Sequence, residues 1–171
     1  MYPTSKTCSG GVCVIPSSNN SQQTMNDNEL RVLVTGHKGF VGTETLKLFQ
    51  EKGIYTIGYD CIDGRNDIRD AKRFEEFVVN NQINRILHLA AVARFKDADA
   101  DPILTHETNA FGTSNVAQIA SKHYIPLVYA STGSVYMPIT QEPPITEEFS
   151  AQGNSQYACT KRMGELYVQV S

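Results

Sequence analysis

The sequence predicts an α/β protein built on an open, doubly wound parallel sheet. Three observations carry this. From Arg31 onward, apolar runs alternate with amphipathic stretches of helical spacing. The runs are continuously apolar, as strands covered on both faces require, and do not alternate strictly. Strands that alternate with helices in this way need right-handed crossovers between parallel neighbours.

Taken in order, RVLVTG (31–36) is a short β-rich run ending in glycine. FVGTETLKLFQEKG (40–53) has helical spacing at Val41, Leu46, Leu48 and Phe49, with Gly53 as its stop. IYTIGYD (54–60) is the second strand, and DAKRFEEFVVNNQ (70–82) is a helix with Phe74, Phe77 and Val78 on one side. RILHLAA (85–91) is a third strand. Thr105 to His123 is a long helix with Val116, Ile119 and Ala120 inward, and IPLVYAST (125–132) is the fourth strand. Asn154 or Ser155 caps a last helix that carries Tyr157 and Lys161. Residues 1–28, rich in Ser, Thr, Asn, Gln and Gly, are expected to be a flexible tail, and 29–171 to be the folded domain.

The bulk properties narrow the function. A length of 171 residues suits one domain, and 40% hydrophobic residues suffice for a core. Net charge is −3 with both signs interspersed and no Lys/Arg cluster, so nucleic acid is not an expected partner. No apolar run approaches the roughly 20 residues that span a bilayer, so no membrane association is expected. Cys8, Cys13, Cys61 and Cys159 match no zinc spacing. Four unpaired thiols in a reducing compartment, the cytoplasm, is the reading they favour, with a Cys8–Cys13 bridge as the alternative. His37, His88, His106 and His123 lack metal-ligand spacing, so no metal is expected and each is assigned to a polar loop or helix end.

LVTGHKGFVGTE places Gly36, Gly39 and Gly42 after a strand and at the opening of a helix. Gly36 permits a tight turn, Gly39 lets the backbone approach a pyrophosphate, and Gly42 lets the helix pack on the sheet. The helix N-terminus then offers free N–H groups and partial positive charge to an anion. Glycines at GxxGxxG spacing also serve as plain turn-and-packing residues. Asp60 favours the ligand reading. It ends the second strand, 24 residues after Gly36, where a carboxylate holds both ribose hydroxyls of an adenosine. The same charge repels a 2′-phosphate and so favours NAD over NADP, with Lys38 and Arg65 as nearby cations.

YACTK (157–161) sets a tyrosine and a lysine one helical turn apart on one face. A free phenol, with a pKa of roughly 10, is a poor base at neutral pH. A neighbouring ammonium favours the phenolate and brings it towards the range useful for general acid–base catalysis. Thr132, at the end of the fourth strand, is placed to orient a substrate oxygen, with Ser131 and Ser134 as its neighbours. Arg94 is either a contact for a substrate phosphate or a surface arginine. No GxSxG elbow supports a hydrolase.

TGHKGFVG, NDIRD (66–70), HLAAVA (88–93), ETNAFGTSNV (107–116), YASTGSVY (129–136), PPITEEF (143–149) and YACTK occur in one order. In that order they resemble the extended short-chain dehydrogenase/reductase family of nucleotide-sugar epimerases and dehydratases, from residue 31 to 171. The resemblance implies a Rossmann-like fold that binds NAD. It adds Phe40, Val41, Asp67, Ile68, Leu89, Ala90, Ala91 and Asn109 to Gly36, Gly39, Gly42, Asp60 and Lys161 as cofactor-site residues. Asn109 takes the place of the family's structural asparagine. Tyr157, Lys161 and Thr132 are implied as the catalytic set acting on a nucleotide-sugar or other small hydroxyl or carbonyl substrate by transient hydride transfer. Met137 and Gln156 stand where glycine and proline are common in the family. Gly133 and Ser134 replace the acids typical of the 4,6-dehydratases, so epimerisation or simple oxidation–reduction is expected and not dehydration. A homodimer is implied, with Thr105 to His123 as a candidate interface helix. Family members continue well beyond this length, so the chain is expected to be an N-terminal portion that lacks the substrate domain. In that case its fourth strand would form an open edge. A non-catalytic NAD-binding module or inactive fragment is the rival reading.

Overall fold

The structure, a computed structural model, describes residues 7–9, 12–15, 29–62, 64–137, 144–149, 151 and 153–171. In chain order the elements are β1 (Thr7–Ser9), β2 (Val12–Ile15), β3 (Arg31–Thr35), α1 (Phe40–Glu51), β4 (Tyr55–Tyr59), α2 (Ala71–Asn80), β5 (Arg85–His88), α3 (Phe95–Ala100) and α4 (Pro102–His106). A π-helical turn, Glu107–Gly112, then leads into α5 (Thr113–Lys122), β6 (Leu127–Ala130), a 3₁₀ turn (Gly133–Tyr136) and α6 (Gln156–Val170).

The sheet runs β1-β2-β6-β5-β3-β4. β4, β3, β5 and β6 are parallel, with Val32 opposite both Thr56 and Arg85, and Leu87 opposite Val128. The chain leaves β3 to one side for β4 and returns across it to β5. This reversal of direction opens a crevice beyond the C-terminal end of β3, where such sheets take ligands.

Strand alternation sorts the core. Leu33, Tyr59, Ile86, Leu127 and Tyr129 join Phe74 and Val78 of α2, Val116, Ala117 and Ala120 of α5, and Val168 of α6 in one cluster. Val32 and Val34, also buried, alternate with Leu33 and so face the other side, where α1 runs along β3 and β4. Tyr59 meets Phe74 edge to face, with ring centroids 5.1 Å apart. Each such fully buried large side chain contributes about 1.5–3 kcal/mol. The expected inward residues Val116, Ile119 and Ala120 are buried, and so are Thr113, Ser114, Asn115 and Ala117, because α5 lies between α2 and α6. On α1, by contrast, Val41 and Leu48 are exposed.

Asp70, Asp101 and Ser155 cap α2, α4 and α6, their side chains accepting from Arg73 N, Leu104 N and Ala158 N. Of the two candidate caps for the last helix, Ser155 is therefore the one used. The long helix expected over 105–123 instead starts at Pro102 and widens into the π-helical turn before α5. The third strand ends at His88, short of the expected Ala91, and α3 was not anticipated.

The N-terminal segment also departs from expectation. Where a free tail was expected, Thr7–Ser9 and Val12–Ile15 form a hairpin, and β2 pairs antiparallel with β6, Val12 opposite Ala130 and Ile15 opposite Leu127. The edge of β6, expected to be open, is thus covered. An unpaired edge presents a row of backbone donors and acceptors, and Val12–Ile15 is an apolar, β-branched run that supplies their partners. Cys8 and Cys13 are opposite each other in register. The rest of the expected tail and the side chains on which a Cys8–Cys13 bridge would depend lie outside the described residues. No helix among the described residues is long and apolar enough to cross a membrane.

Candidate dinucleotide and proton-transfer site

The glycine turn after β3 is built by backbone approach. Gly36 has φ of 69°, the left-handed region that favours glycine, and its N–H donates to Tyr59 O at 2.9 Å. A Cβ on Gly36 would lie 2.7 Å from Ala90 N, so the turn presses directly against the chain leaving β5. A Cβ on Gly42 would lie 2.4 Å from Gly36 O. Gly42, the buried residue of α1, thus lets the helix close onto the turn at the end of β3. Gly39 is the N-cap of α1, with no capping side chain and no acid in the first turn. The first N–H groups of α1, at Phe40, Val41 and Gly42, have no intrahelical acceptor. Phe40 and Val41 are exposed, 87% and 59%, and flank this end. A helix end with no capping side chain and no acid in its first turn, beside a glycine-lined approach, fits a dinucleotide diphosphate.

Asp60 follows β4 directly, and its carboxylate faces the turn, accepting from Lys38 N at 3.0 Å and from Ile62 N at 3.3 Å. Asp67 is gripped by Arg69, whose Nε and Nη2 reach its oxygens at 2.9 and 2.6 Å. That guanidinium contact, with the Arg69 N–H, holds the Asp67 carboxyl below the usual carboxylate range. Arg69 also donates to Glu107 at 2.8 Å, tying the segment to the π-helical turn. Sequence reasoning missed Arg69 and Glu107, because 38 residues separate them and only the crossover brings them together. The Ile68 side chain is buried against Gly112, where a Cβ would come within 2.7 Å of Ile68 Cδ1.

At the end of β5, Leu89 N and Ala90 N both donate to Thr35 Oγ1, at 3.1 and 3.2 Å. Thr35 Oγ1 is 2.6 Å from His88 Nδ1, and His88 Nε2 is 3.0 Å from Thr113 Oγ1. With two N–H groups already on its oxygen, Thr35 has its own proton to give, so Nδ1 accepts and Nε2–H donates to Thr113. His88 is fully buried, not in a loop or at a helix end as expected. Burial, aided by the charge of Lys161, pushes its pKa down to about 3 and keeps it neutral. Asn109, grouped with the cofactor contacts in the sequence reading, is fully buried. Its Oδ1 accepts from Val92 N at 2.8 Å and its Nδ2 donates to Val92 O at 3.0 Å and Thr160 Oγ1 at 3.2 Å. It supports the chain beyond Ala91 and links it to α6, the structural half of its expected role. The π-helical turn that carries Asn109 makes this reach, a use common for such turns.

Tyr157, Lys161 and Thr132, the expected proton-transfer set, lie where α6 meets the end of β6. Lys161 is 3% exposed, and its Nζ donates to Ala130 O at 2.7 Å and lies 4.2 Å from the centroid of the Tyr129 ring. Burial pushes the Lys161 ammonium down to about 7, against the raising influence of Glu165. Tyr157 is one turn earlier, its ring edge to face with Phe95 at 5.3 Å. Thr132 caps the 3₁₀ turn, its Oγ1 accepting from Ser134 N at 3.2 Å. Thus Lys161 anchors two residues before Thr132, on the same strand end. Ser131 between them donates to Glu165, a residue absent from the sequence reading. Arg94 is exposed at the start of α3.

A doubly wound sheet with an uncapped, glycine-lined helix end at its switch point and a Tyr-x-x-x-Lys helix beside it defines a dinucleotide-binding domain of the dehydrogenase/reductase class. The chain belongs to the NAD dependent epimerase/dehydratase family, whose model matches residues 32–171, and so to the extended short-chain dehydrogenase/reductases. NAD is the cofactor that this membership carries. The chain is 32% identical over 168 residues to UDP-glucuronate 4-epimerase 4 of Arabidopsis thaliana, covering 84% of this chain and 38% of that protein. Among solved structures, the UDP-glucose 4-epimerase of Thermus thermophilus, in complex with NAD, matches with a TM-score of 0.76 and 27% identity over 82% of this chain and 50% of that one. A dTDP-4-dehydrorhamnose reductase of Clostridium acetobutylicum matches with a TM-score of 0.76 and 28% identity, over 82% and 49%. The chain therefore spans half or less of the length of these relatives.

Proposed function

We propose that this chain is the NAD-binding and proton-transfer half of a nucleotide-sugar epimerase or related oxidoreductase. The observation that carries the reading is the junction of α6 with β6, where Lys161 Nζ bonds Ala130 O at 2.7 Å beside Thr132 and one turn from Tyr157. Bound NAD would supply the hydride acceptor and donor. Asp60 would hold its adenosine ribose, and the N–H groups of Phe40, Val41 and Gly42 its diphosphate. Asp67 and Ile68 would lie beside the adenine, and Leu89, Ala90 and Ala91 along the dinucleotide. Tyr157 takes the proton from a substrate hydroxyl and later returns it. Lys161 supplies the positive charge that favours the phenolate, and Thr132 orients the substrate oxygen. The names of the matched proteins support a UDP- or dTDP-sugar as substrate.

Calorimetric titration with NAD tests the cofactor half: saturable binding is expected, and a folded chain that binds neither NAD nor NADP overturns the reading. In a form of the protein that turns over a UDP- or dTDP-sugar, Tyr157→Phe is expected to lower turnover by about 10²–10⁴-fold. NAD affinity should stay nearly unchanged in that variant, and unimpaired turnover would remove Tyr157 from the mechanism. A homodimer is part of the proposal. Ile103 and Phe111, with Met163, Leu166, Tyr167 and Val170 on α6, leave apolar surface exposed that a second copy would cover, and sedimentation reads the mass. A cytoplasmic location is proposed from the exposed free thiols Cys61 and Cys159, which a reducing compartment preserves.

A further inference from the structure

The mechanism leaves Glu165 unused, yet its position is unusual for a carboxylate. Its side chain is only 9% exposed, one helical turn beyond Lys161 on α6. Ser131 Oγ donates to Oε1 at 2.5 Å and Arg162 Nη1 to Oε2 at 2.6 Å. Ser131 lies between Ala130, whose carbonyl accepts from Lys161, and Thr132. The strand end is therefore held by two successive rungs from one helix, one cationic and one anionic.

We propose that Glu165 is the counter-charge and positioning residue of Lys161, held in place by the Ser131 hydroxyl. This rests on the reading of Lys161 as the cation of the proton-transfer pair. A buried ammonium with only a carbonyl and a ring face as partners is costly, and an opposite charge close by offsets that cost. The other groups near Lys161 do not supply it. Tyr129 from β6 and His88 from β5 are neutral, both held so by burial. Asn109 of the π-helical turn and Thr113 of α5 carry no charge. The charged residues and the histidine of the elements packed on α6 (Lys96, Asp97 and Asp99 of α3, His106 of α4, Glu107 of the π-helical turn and Lys122 of α5) are all exposed, and Cys13 is the one ionisable residue in the sequence of β2. On α6 itself, Tyr157 is the phenol to be served. Arg162 adds positive charge, but its side chain is 37% exposed, so water screens it more than it screens Glu165. Glu165 also raises the pKa of Lys161.

The test is the titration of Lys161 in this chain, followed by NMR on isotope-labelled lysine and assigned with Lys161→Arg. Glu165→Gln keeps an oxygen for Ser131 but removes the charge, so the Lys161 midpoint is expected to move down. Ser131→Ala removes one of the two contacts that hold the carboxylate, leaving Arg162, and is expected to move it down by less. An unchanged or raised midpoint in a folded Glu165→Gln chain overturns the proposal. A Ser131→Ala midpoint equal to the wild type overturns the part given to Ser131. Calorimetry with NAD on the same samples separates the two readings. A chain that loses the Lys161 shift but binds NAD refutes only the role of Glu165, and one that shows the shift without binding NAD refutes only the cofactor reading.

Discussion

At Gly36 the conformational and steric demands coincide. The residue has φ of 69°, and a Cβ would sit 2.7 Å from Ala90 N, a backbone atom that cannot swing aside. Gly36→Ala is therefore expected to destabilise the fold by about 1–2 kcal/mol for the left-handed conformation alone, with the clash added, and to abolish NAD binding. A urea melt and an NAD titration check both, and a variant as stable as the wild type would show that the turn relaxes. Asn109 presents the complementary case. Asn109→Ala leaves Val92 N and O without their partners in a partly buried place, at a cost of up to about 1–3 kcal/mol for each group that water does not reach. The expected result is a large drop in melting temperature. Gly36 was legible in the sequence, because a glycine between a strand and a helix signals one of few backbone shapes. The full role of Asn109 was not, since its partner Thr160 is 51 residues away and meets it only when α6 packs on the π-helical turn.

Among the elements, those with a local signal were recovered and those set by tertiary context were not. The four parallel strands and the helices α1, α2 and α6 follow from apolar periodicity, caps and glycine stops. The interruption of the helix expected over 105–123 has no periodic signature, because a π-helical turn keeps the helical composition and only widens the path so that Asn109 reaches Val92. The pairing of Arg69 with Glu107, and of Ser131 with Glu165, depends on strand order and helix packing and not on spacing. The N-terminal hairpin was obscured for another reason. Its strands are three and four residues long, set in a polar segment, and they gain stability only by pairing with β6. Removing residues 1–28 is therefore expected to expose the β6 edge and to promote association beyond a dimer, seen as larger species in sedimentation velocity. A deletion that stays as monodisperse as the parent would show that β6 needs no cover.

The whole molecule carries two buried bases whose protons are linked to folding. His88 titrates near 3 in the fold, where burial excludes its charged form, against an ordinary value of 6.5. Between those values the unfolded chain takes up a proton that the folded chain refuses. The contribution of His88 is thus complete above about 6.5 and falls as pH drops through that window, by up to about 1.4 kcal/mol per pH unit. Lys161 titrates near 7 in the fold, against 10.5 when unfolded. Below about 7 both states are protonated, and the burial of its charge is a fixed cost. From 7 to 10.5 the unfolded chain alone keeps the proton, so the contribution of Lys161 to stability rises with pH. Asp67 acts in the same direction as His88, but its carboxyl is held below the ordinary value of 3.8, so its effect lies at lower pH. Glu75, whose carboxyl Lys122 and His123 hold below the ordinary 4.5, acts likewise around and below that value, so urea melts between about pH 5.5 and 6.5 read the histidine. His88→Gln, which keeps a side-chain acceptor and donor but has no titrating group, is expected to flatten the slope in that interval, and Lys161→Met the slope above 7. If the acid slope of His88→Gln matches that of the parent, His88 is not the neutral bridge between Thr35 and Thr113, and the buried polar network joining β3 to α5 must be assigned a different protonation state.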